Sequence, residues 1–186
     1  MISDQSINAI PIGIVVVSDR AAAGIYEDKG GPEIIRWLEA ALTSPWRPEL
    51  RVIPDQRPLI DDTLIDMVDQ LGCSLVLTTG GTGPSPRDLT PEATEAVCDR
   101  LMPGFGEEMR RASLVEVPTA ILSRQVAGLR GRALIVNLPG KPSAVAMCLN
   151  AVFPAIPYCL DLSGGDRIET DPNVCQAFRP AAPAST

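Results

Sequence analysis

Residues 10–17, IPIGIVVV, form an almost uninterrupted run of apolar, mostly β-branched side chains. A strand with one face in solvent would alternate apolar and polar residues, whereas this run predicts a strand buried on both faces. Shorter runs of the same kind follow at 50–55, 74–78 and 133–138, and helical patterns separate them. Because strands that alternate with helices favour parallel pairing, the sequence predicts an α/β domain whose mostly parallel sheet is covered by helices on both faces.

Helical periodicity fills the gaps between these runs. The Thr90-Pro91 pair is typical of a helix start, with the threonine hydroxyl predicted to cap the helix and the proline at its first position. The residues Pro103-Gly-Phe-Gly106 predict a turn before the next helix. The helices are predicted to begin at Pro32 and Pro58 and to cover residues 91–101, 107–115 and 143–152.

The length of 186 residues suits a single domain with a sizeable core. We expect a frayed N-terminus at residues 1–9, one domain over 10–163, and an irregular tail over 164–186 that ends in the disorder-prone stretch RPAAPAST. No uninterrupted run approaches the roughly 18 apolar residues of a membrane span, and the N-terminus lacks the basic and apolar regions of an export signal. A cytoplasmic protein without membrane contact is therefore expected.

Composition excludes several kinds of chemistry. The sequence has no histidine, so a Ser-His-Asp triad, a Cys-His pair and a histidine general base are all ruled out. Five cysteines are scattered without a CxxC pair, which argues against zinc and is typical of mostly buried free thiols in a reducing compartment. The net charge of −7 argues against nucleic-acid binding. Any chemistry must therefore use carboxylates, lysine, arginine, hydroxyls, backbone amides or an oxygen-bound metal.

Polar residues follow each of the four predicted strands at the point where the strand ends. In open α/β sheets, ligands bind beyond the carboxyl ends of the strands, so these four segments mark the expected site. One of them alone would be explained by a tight turn, but four together favour a ligand-binding edge. The segments are Ser18-Asp19-Arg20, Pro54-Asp55, Thr78-Thr79-Gly80-Gly81-Thr82-Gly83 and Leu138-Pro139-Gly140-Lys141-Pro142-Ser143.

The glycine-rich segment 78–83 suits an anion. Glycine lets backbone amides approach a ligand closely and adopt positive φ, and successive amides can form a nest for a phosphate. The three threonines of the segment add hydroxyl donors. The spacing is neither that of a Walker loop nor the dinucleotide pattern GxGxxG. Glycine content by itself leaves a ligand loop and an ordinary turn equally open.

Asp55 and Asp88 are the candidate catalytic carboxylates. Asp55 ends a predicted strand, and Asp88 lies two residues before the helix start at Thr90. An aspartate beside a helix N-terminus commonly serves only to complement the helix dipole. The alternative is a ligand for Mg²⁺, which takes one or two carboxylates and completes its shell with water and phosphate.

Positive charge at the same edge is available from Arg20, Lys29, Arg87 and Lys141. Most such side chains are merely solvated. Lys141, however, lies in a Pro-Gly-Lys-Pro turn at a strand end, and Ser143 follows at a predicted helix N-terminus, where phosphate binding is favoured.

Six segments of the sequence together resemble the MogA-type molybdopterin adenylyltransferases, a family that also includes the gephyrin G domain. The resemblance covers roughly residues 10 to 160, and TTGGTG followed by RD and TPEAT is its most specific part. The bacterial MogA branch is the most similar. The segments, in chain order, are SDRAAAGIYEDKGGP, IPD, LVLTTGGTGPSPRDLTPEAT, MPGFGEEMRRASL, TAILSRQVAG and LPGKPSAV.

The resemblance implies a three-layer α/β/α sandwich, the molybdopterin-binding fold, assembled as a homotrimer. It implies an Mg²⁺-dependent transfer of AMP from ATP to the terminal phosphate of molybdopterin, with a MoeA-type molybdenum insertase as the downstream partner. Asp55 and Asp88 match the carboxylates that the family requires. The positions implied to bind substrate or phosphate are Ser18, Asp19, Arg20, Thr78, Thr79, Gly80, Gly81, Thr82, Gly83, Glu107, Ser113, Pro139, Gly140, Lys141 and Ser143.

The sequence departs from the bacterial members in one place. The segment after Leu149, FPAIPYCLDL, is more compact, but it leaves every motif intact. Two other functions stay open at this point: a MoaB-like protein that binds molybdopterin without transferring AMP, and a scaffold module. The two retained aspartates favour the enzyme.

Overall fold

The computed structural model describes residues 9–181, so residues 1–8 of the predicted frayed segment 1–9 and residues 182–186 of the predicted disordered segment 179–186 lie outside the described residues. The strands are β1 Ile10–Val17, β2 Trp46–Ile53, β3 Leu75–Thr79, β4 Arg100–Leu101, β5 Ala127–Arg130 and β6 Ala133–Leu138. The helices are α1 Asp19–Ala22, α2 Gly30–Ala41, α3 Arg57–Asp69, α4 Thr90–Val97, α5 Pro103–Leu114, α6 Pro142–Val152 and α7 Ile156–Ser163. Two 3₁₀ turns occupy Pro118–Leu122 and Phe153–Ala155.

The strands form one sheet in the order β2-β1-β3-β6-β5-β4. The first four pair in parallel, whereas β5 is antiparallel to β6 and β4 is antiparallel to β5. The prediction of a mostly parallel sheet is confirmed. Its consequence for function is that β1, β2, β3 and β6 all present their carboxyl ends at one edge.

Hydrophobic side chains project from both faces of the sheet, as the continuous β-branched run of β1 predicts. Ile12 and Ile14 pack with residues of α2, α5, α6 and α7 on one face. Val15 and Val17 pack with residues of α3 and α4 on the other. Each such buried side chain contributes about 1.5–3 kcal/mol by leaving water. The two clusters confirm the three-layer α/β/α sandwich.

Three element boundaries differ from the predictions by four residues. The helix predicted over 91–101 ends at Val97, because the chain extends at Cys98 and then forms β4, whose Arg100 pairs with Leu129. The predicted turn at 103–106 is the first turn of α5, where Pro103 stands at a position that needs no amide donor. β2 begins at Trp46 instead of Leu50, since Trp46 pairs with Ile10 at the start of β1.

The segment Pro142–Ser163 is 22 residues long and contains an 18-residue stretch with a mean hydropathy of 1.6, so by length and composition alone it could cross a membrane. In the fold it consists of α6, a 3₁₀ turn and α7. Leu149, Phe153 and Ile156 are fully buried in the main hydrophobic cluster. The Phe153 ring lies 4.7 Å from the Trp37 ring of α2. The segment is therefore a core element, and it contains the compact stretch after Leu149.

Residues 164–181 contain no helix or strand, although Thr170 forms an isolated bridge with Leu42. Ile168 and Cys175 from this segment are buried in the main cluster. The segment also pairs Arg179 with Asp161 of α7 at 2.5 Å. It therefore packs on the domain over this described part.

The five cysteines are free thiols. Cys73, Cys148 and Cys175 are buried, and Cys98 and Cys159 are half-buried. The expectation that most are buried free thiols is confirmed.

Candidate active site

The polar segments that follow β1, β2, β3 and β6 meet at one edge of the sheet. They surround a cavity of about 400 Å³. A second cavity of about 500 Å³ adjoins the first. Gly81, Asp88 and Gly140 border both cavities, so these three residues mark the junction.

Gly80 and Gly81 form the floor of the first cavity with φ values of +93° and +64°. A Cβ atom at Gly80 would collide with the carbonyl oxygen of Val17, and one at Gly81 with the hydroxyl of Thr90. Only glycine combines this backbone conformation with so close an approach. The two glycines bring the backbone to the edge of the cavity, as the predicted phosphate nest at residues 78–83 requires.

Hydroxyl groups hold this loop to its neighbours. Thr79 donates a hydrogen bond of 2.8 Å to the carbonyl of Pro139 and so joins the ends of β3 and β6. Thr90 donates a bond of 2.9 Å to the carbonyl of Gly80. The prediction that Thr90 caps α4 is wrong, because Leu89 is the N-cap residue and the Thr90 hydroxyl is committed to the loop.

Asp55 lies at the end of β2 and faces the first cavity. Its Oδ2 accepts a hydrogen bond of 2.7 Å from the amide of Asp19. Its own amide donates 2.9 Å to the Asp19 Oδ1. Asp19 is held in turn by Arg87, whose Nη2 lies 2.5 Å from the Asp19 Oδ2. This arrangement fixes the Asp55 carboxylate and leaves it facing the cavity.

The environment of Asp55 disfavours its charge. Burial raises the pKa of this carboxyl, and the negative charges of Asp19 and Asp88 act in the same direction. The hydrogen bond from the Asp19 amide opposes the rise. The pKa of Asp19 shifts in the opposite direction, because the hydrogen bond from Arg87 lowers it. An ionised carboxylate held against its own preference is well suited to receive a cation.

Asp88 lies on the loop between β3 and α4 and borders both cavities. Its Oδ2 accepts a hydrogen bond of 3.0 Å from the amide of Ser85. Its negative charge, on the same cavity, is one of the causes that raise the pKa of Asp55. The structure thus brings the two predicted catalytic carboxylates together.

The apolar side chains of Val117, Leu122 and Met147 line part of the second cavity. The 3₁₀ turn at Pro118–Leu122 forms one wall, and the turn at 139–144 forms another. Ser113 and Gln125 contribute buried polar groups. The predicted residues that border this cavity are Gly81, Thr82, Gly83, Asp88, Ser113, Pro139, Gly140, Lys141 and Ser143. The predicted residues that border the first cavity are Ser18, Asp55, Thr79, Gly80, Gly81, Asp88 and Gly140.

Four predicted substrate contacts border neither cavity among the described residues. Thr78 is fully buried beneath α4, where its hydroxyl accepts 3.1 Å from Asn137. Arg20 stacks 5.3 Å over the Tyr26 ring. Asp19 is engaged by Asp55 and Arg87, and Glu107 is exposed on α5. The sequence predicted these residues in the site because they belong to segments that match the family. Their own side chains line neither cavity.

Several residues that face the cavities were missed as individual candidates. Tyr26 and Asp28 border the first cavity, and Asp28 caps α2 by accepting hydrogen bonds of 2.8 and 3.0 Å from the amides of Gly30 and Gly31. Gln125 borders the second. All lie within segments that carried the family resemblance, so the signal was present at the level of segments.

Comparison with known proteins agrees with the geometry. A family model described as a probable molybdopterin binding domain matches residues 13–158. A molybdopterin adenylyltransferase of Haemophilus influenzae is 54% identical over 183 residues, covering 92% of this chain and 93% of that protein. The Escherichia coli K12 protein of the same name is 52% identical over 185 residues, covering 93% and 95%.

Solved structures give the same result. The molybdopterin biosynthesis enzyme MoaB of Thermus thermophilus has a TM-score of 0.77 at 42% identity and covers 85% of this chain and 98% of its own. The Mog protein of Mycobacterium ulcerans has a TM-score of 0.76 at 41% identity and covers 83% and 99%. The chain belongs to the molybdopterin-binding family of molybdenum cofactor biosynthesis proteins, and within it to the molybdopterin adenylyltransferases.

Proposed function

We propose that this protein transfers AMP from ATP to the terminal phosphate of molybdopterin, giving adenylyl-molybdopterin and pyrophosphate. The single observation that carries the proposal is the junction of the two cavities. The carboxylates of Asp55 and Asp88 border the first cavity together with the Gly80-Gly81 backbone, and Asp88 and Gly81 also border the second. Two adjoining cavities suit two substrates that must react with each other.

The absence of histidine is compatible with this chemistry. The terminal phosphate of the acceptor is mostly ionised near pH 7, because the second pKa of a phosphate ester is about 6. No general base is then needed. What the site must supply is in-line positioning of the two anions and stabilisation of their charge. Backbone amides of the glycine loop can hold phosphate oxygens, and Lys29 and Lys141 stand at the two cavities.

The donor set fits Mg²⁺. Both carboxylates offer oxygen, the ligand that this hard cation prefers. Within residues 9–181, no three His, Cys, Asp or Glu side chains gather closely enough to hold a metal by themselves. Asp55 and Asp88 would therefore share the ion with phosphate oxygens and water, as is usual for Mg²⁺. When bound, Mg²⁺ would reduce the repulsion between the two anionic substrates.

We propose a cytoplasmic location, a homotrimer and transfer of the product to a MoeA-type molybdenum insertase. The five free thiols support a reducing compartment. The trimer and the insertase rest on the family alone. Light scattering on the purified protein tests the trimer, and product transfer to a purified insertase tests the partner.

The test of the function is release of pyrophosphate from ATP in the presence of molybdopterin and Mg²⁺. Wild-type protein should release it, whereas Asp55→Ala and Asp88→Ala should lose about 100-fold or more of kcat, with a smaller change in molybdopterin affinity. The matched control is Asp62→Ala, which removes an exposed carboxylate of α3 and should leave turnover unchanged.

Three outcomes would contradict the proposal. Normal transfer by Asp88→Ala at saturating Mg²⁺ would remove Asp88 from the catalytic machinery. Molybdopterin binding without pyrophosphate release by the wild type would identify a MoaB-like binding protein, and capture of a scaffold partner with no transfer would identify an interaction module.

A further inference from the structure

Arg124 lies behind the loop that carries Asp88. Its Nε donates 2.9 Å to the carbonyl of Gly83, and its Nη2 donates 2.5 Å to the carbonyl of Asp88. The same guanidinium forms an ion pair with Glu92 in the first turn of α4. One side chain therefore holds both ends of the loop 83–88 and the helix that follows it.

The backbone of Arg124 adds a further tie. Its amide donates 2.8 Å to the carbonyl of Thr82. Its neighbours Ser123 and Gln125 border the second cavity and are joined by a hydrogen bond of 2.8 Å. Arg124 thus connects a wall of the second cavity to the loop that brings Asp88 to the junction.

The loop needs such an anchor. Residues 84–87 are exposed. The contacts between Asp88 and Ser85 only close the loop on itself: the Asp88 amide donates 2.9 Å to the Ser85 carbonyl, and the Ser85 amide donates to the Asp88 carboxylate. The ion pair of Arg87 with Asp19 ties the tip to α1, but both partners are largely exposed to solvent. Exposed ion pairs constrain geometry weakly.

We propose that Arg124 is a positioning residue for adenylyl transfer, which sets the place of the Asp88 carboxylate by holding the carbonyls of Gly83 and Asp88. The inference rests on the proposed function for its activity readout. Arg124 borders neither cavity in the described chain and acts through the backbone.

The geometry requires an arginine. Its planar fork presents donors in three directions, which serve two carbonyls and one carboxylate at once. A lysine keeps the positive charge beside Glu92, but its single ammonium cannot reproduce the fork. Charge and geometry can therefore be separated by one substitution.

The experiment compares Arg124→Lys with wild type and with Arg36→Lys. Arg36 pairs with Glu33 at 2.6 Å on the exposed side of α2 and serves as the matched control, since it has the same ion-pair chemistry away from the site. Two quantities are measured: pyrophosphate release at saturating substrates, and hydrogen exchange of residues 83–89 in the substrate-free protein.

Arg124→Lys should lower kcat about 10-fold or more with KM changed less than about threefold, because a displaced catalytic group costs turnover more than binding. In the same variant, hydrogen exchange at residues 83–89 should accelerate. The exchange rates in β3 and the Tm should stay near the wild-type values. Glu92→Gln should have the same direction and a smaller size, since a hydrogen-bond acceptor remains. Arg36→Lys should change neither quantity.

The proposal is overturned if Arg124→Lys keeps wild-type kcat, if exchange at 83–89 is unchanged, or if the lost activity only follows a fall in the folded fraction. A wild type that releases no pyrophosphate would refute the proposed function instead. The exchange measurement would still decide whether Arg124 holds the loop.

Discussion

Asp19 and Asp55 exchange hydrogen bonds, each backbone amide donating to the carboxylate of the other at 2.7 and 2.9 Å. The pair joins the end of β1 to the end of β2, two strands that are parallel neighbours. Although both are aspartates, their situations differ. Asp19 forms an ion pair with Arg87, whereas Asp55 faces the first cavity and forms no ion pair with any of the described residues. Asp19 therefore has a supporting role, whereas the carboxylate of Asp55 is available to act in the cavity.

Substitution of Asp19 should reveal its supporting role. Asp19→Asn keeps an acceptor for the Asp55 amide but weakens the pairing with Arg87, and Asp19→Ala removes both. We expect kcat to fall about threefold in the first and about 10-fold or more in the second, because each lost hydrogen bond loosens Asp55 by about 1 kcal/mol. Pyrophosphate release measures the order. Equal activity of Asp19→Ala and wild type would contradict it.

Asp55→Asn should stabilise the substrate-free protein at neutral pH while removing activity. Because burial and the charges of Asp19 and Asp88 raise the pKa of Asp55, the folded state holds its ionised form less well than the unfolded chain does. This penalty is absent below the ordinary pKa of aspartate, where both states are protonated. It grows as the pH rises through the raised pKa of the folded state.

Thermal unfolding at several pH values checks this prediction. The variant should melt about 1–3 °C above wild type at pH 7, which corresponds to less than about 1 kcal/mol, and the difference should shrink towards pH 4. Asp62→Asn on the surface of α3 is the matched control. A variant that is less stable than wild type at pH 7 would refute the argument.

Gly80→Ala should damage folding as well as function. The position combines a φ of +93° with a collision between the new Cβ and the backbone carbonyl of Val17. We expect a loss of about 3 kcal/mol or more, since backbone atoms of a central strand cannot yield. Gly104→Ala, in the first turn of α5 with open space around its Cα, should be neutral or slightly stabilising. Urea unfolding of both variants measures the difference.

Much of the site could be predicted because it depends on where strands end. The runs at β1, β3 and β6 are continuous and apolar, so their carboxyl ends, and the polar segments beyond them, follow from the sequence. β4 and β5 could not be found in the same way. β4 has two residues, and its pairing with β5 depends on a contact between segments almost 30 positions apart. Short strands of this kind carry no periodic signal of their own.

The direction of individual side chains was the weaker part of the prediction. Thr78 and Thr79 adjoin in β3, so the alternation of a strand sends them to opposite faces. Only Thr79 reaches the cavity, while Thr78 joins Asn137 and Thr94 under α4. The alternation of side chains along a strand was enough to predict that outcome. The hydrogen bond from the Thr90 hydroxyl to the Gly80 carbonyl could not be predicted in this way, because it depends on the loop folding back over α4.

Cys73 precedes β3, and Cys98 directly follows α4. Burial raises the pKa of Cys73 and of Cys98 to about 11. The negative charge of Asp99 adds to the shift of Cys98. Since only the thiolate reacts with alkylating agents, a pKa two units above the ordinary 9.0 reduces the reactive fraction at pH 8 about 100-fold.

Alkylation of Cys98 by iodoacetamide should therefore rise about 100-fold from pH 8 to pH 10 in the folded protein, whereas in the unfolded chain, with the ordinary thiol pKa of 9.0, it should rise only about 10-fold and level off above pH 10. Mass spectrometry of the modified peptides measures both rates. Asp99→Asn should increase the folded-state rate at pH 8, because it removes a charge that opposes thiolate formation. A rise of only about 10-fold over the same range in the folded wild type would show that Cys98 is hydrated like an ordinary surface thiol and would contradict its packing between α4 and β5.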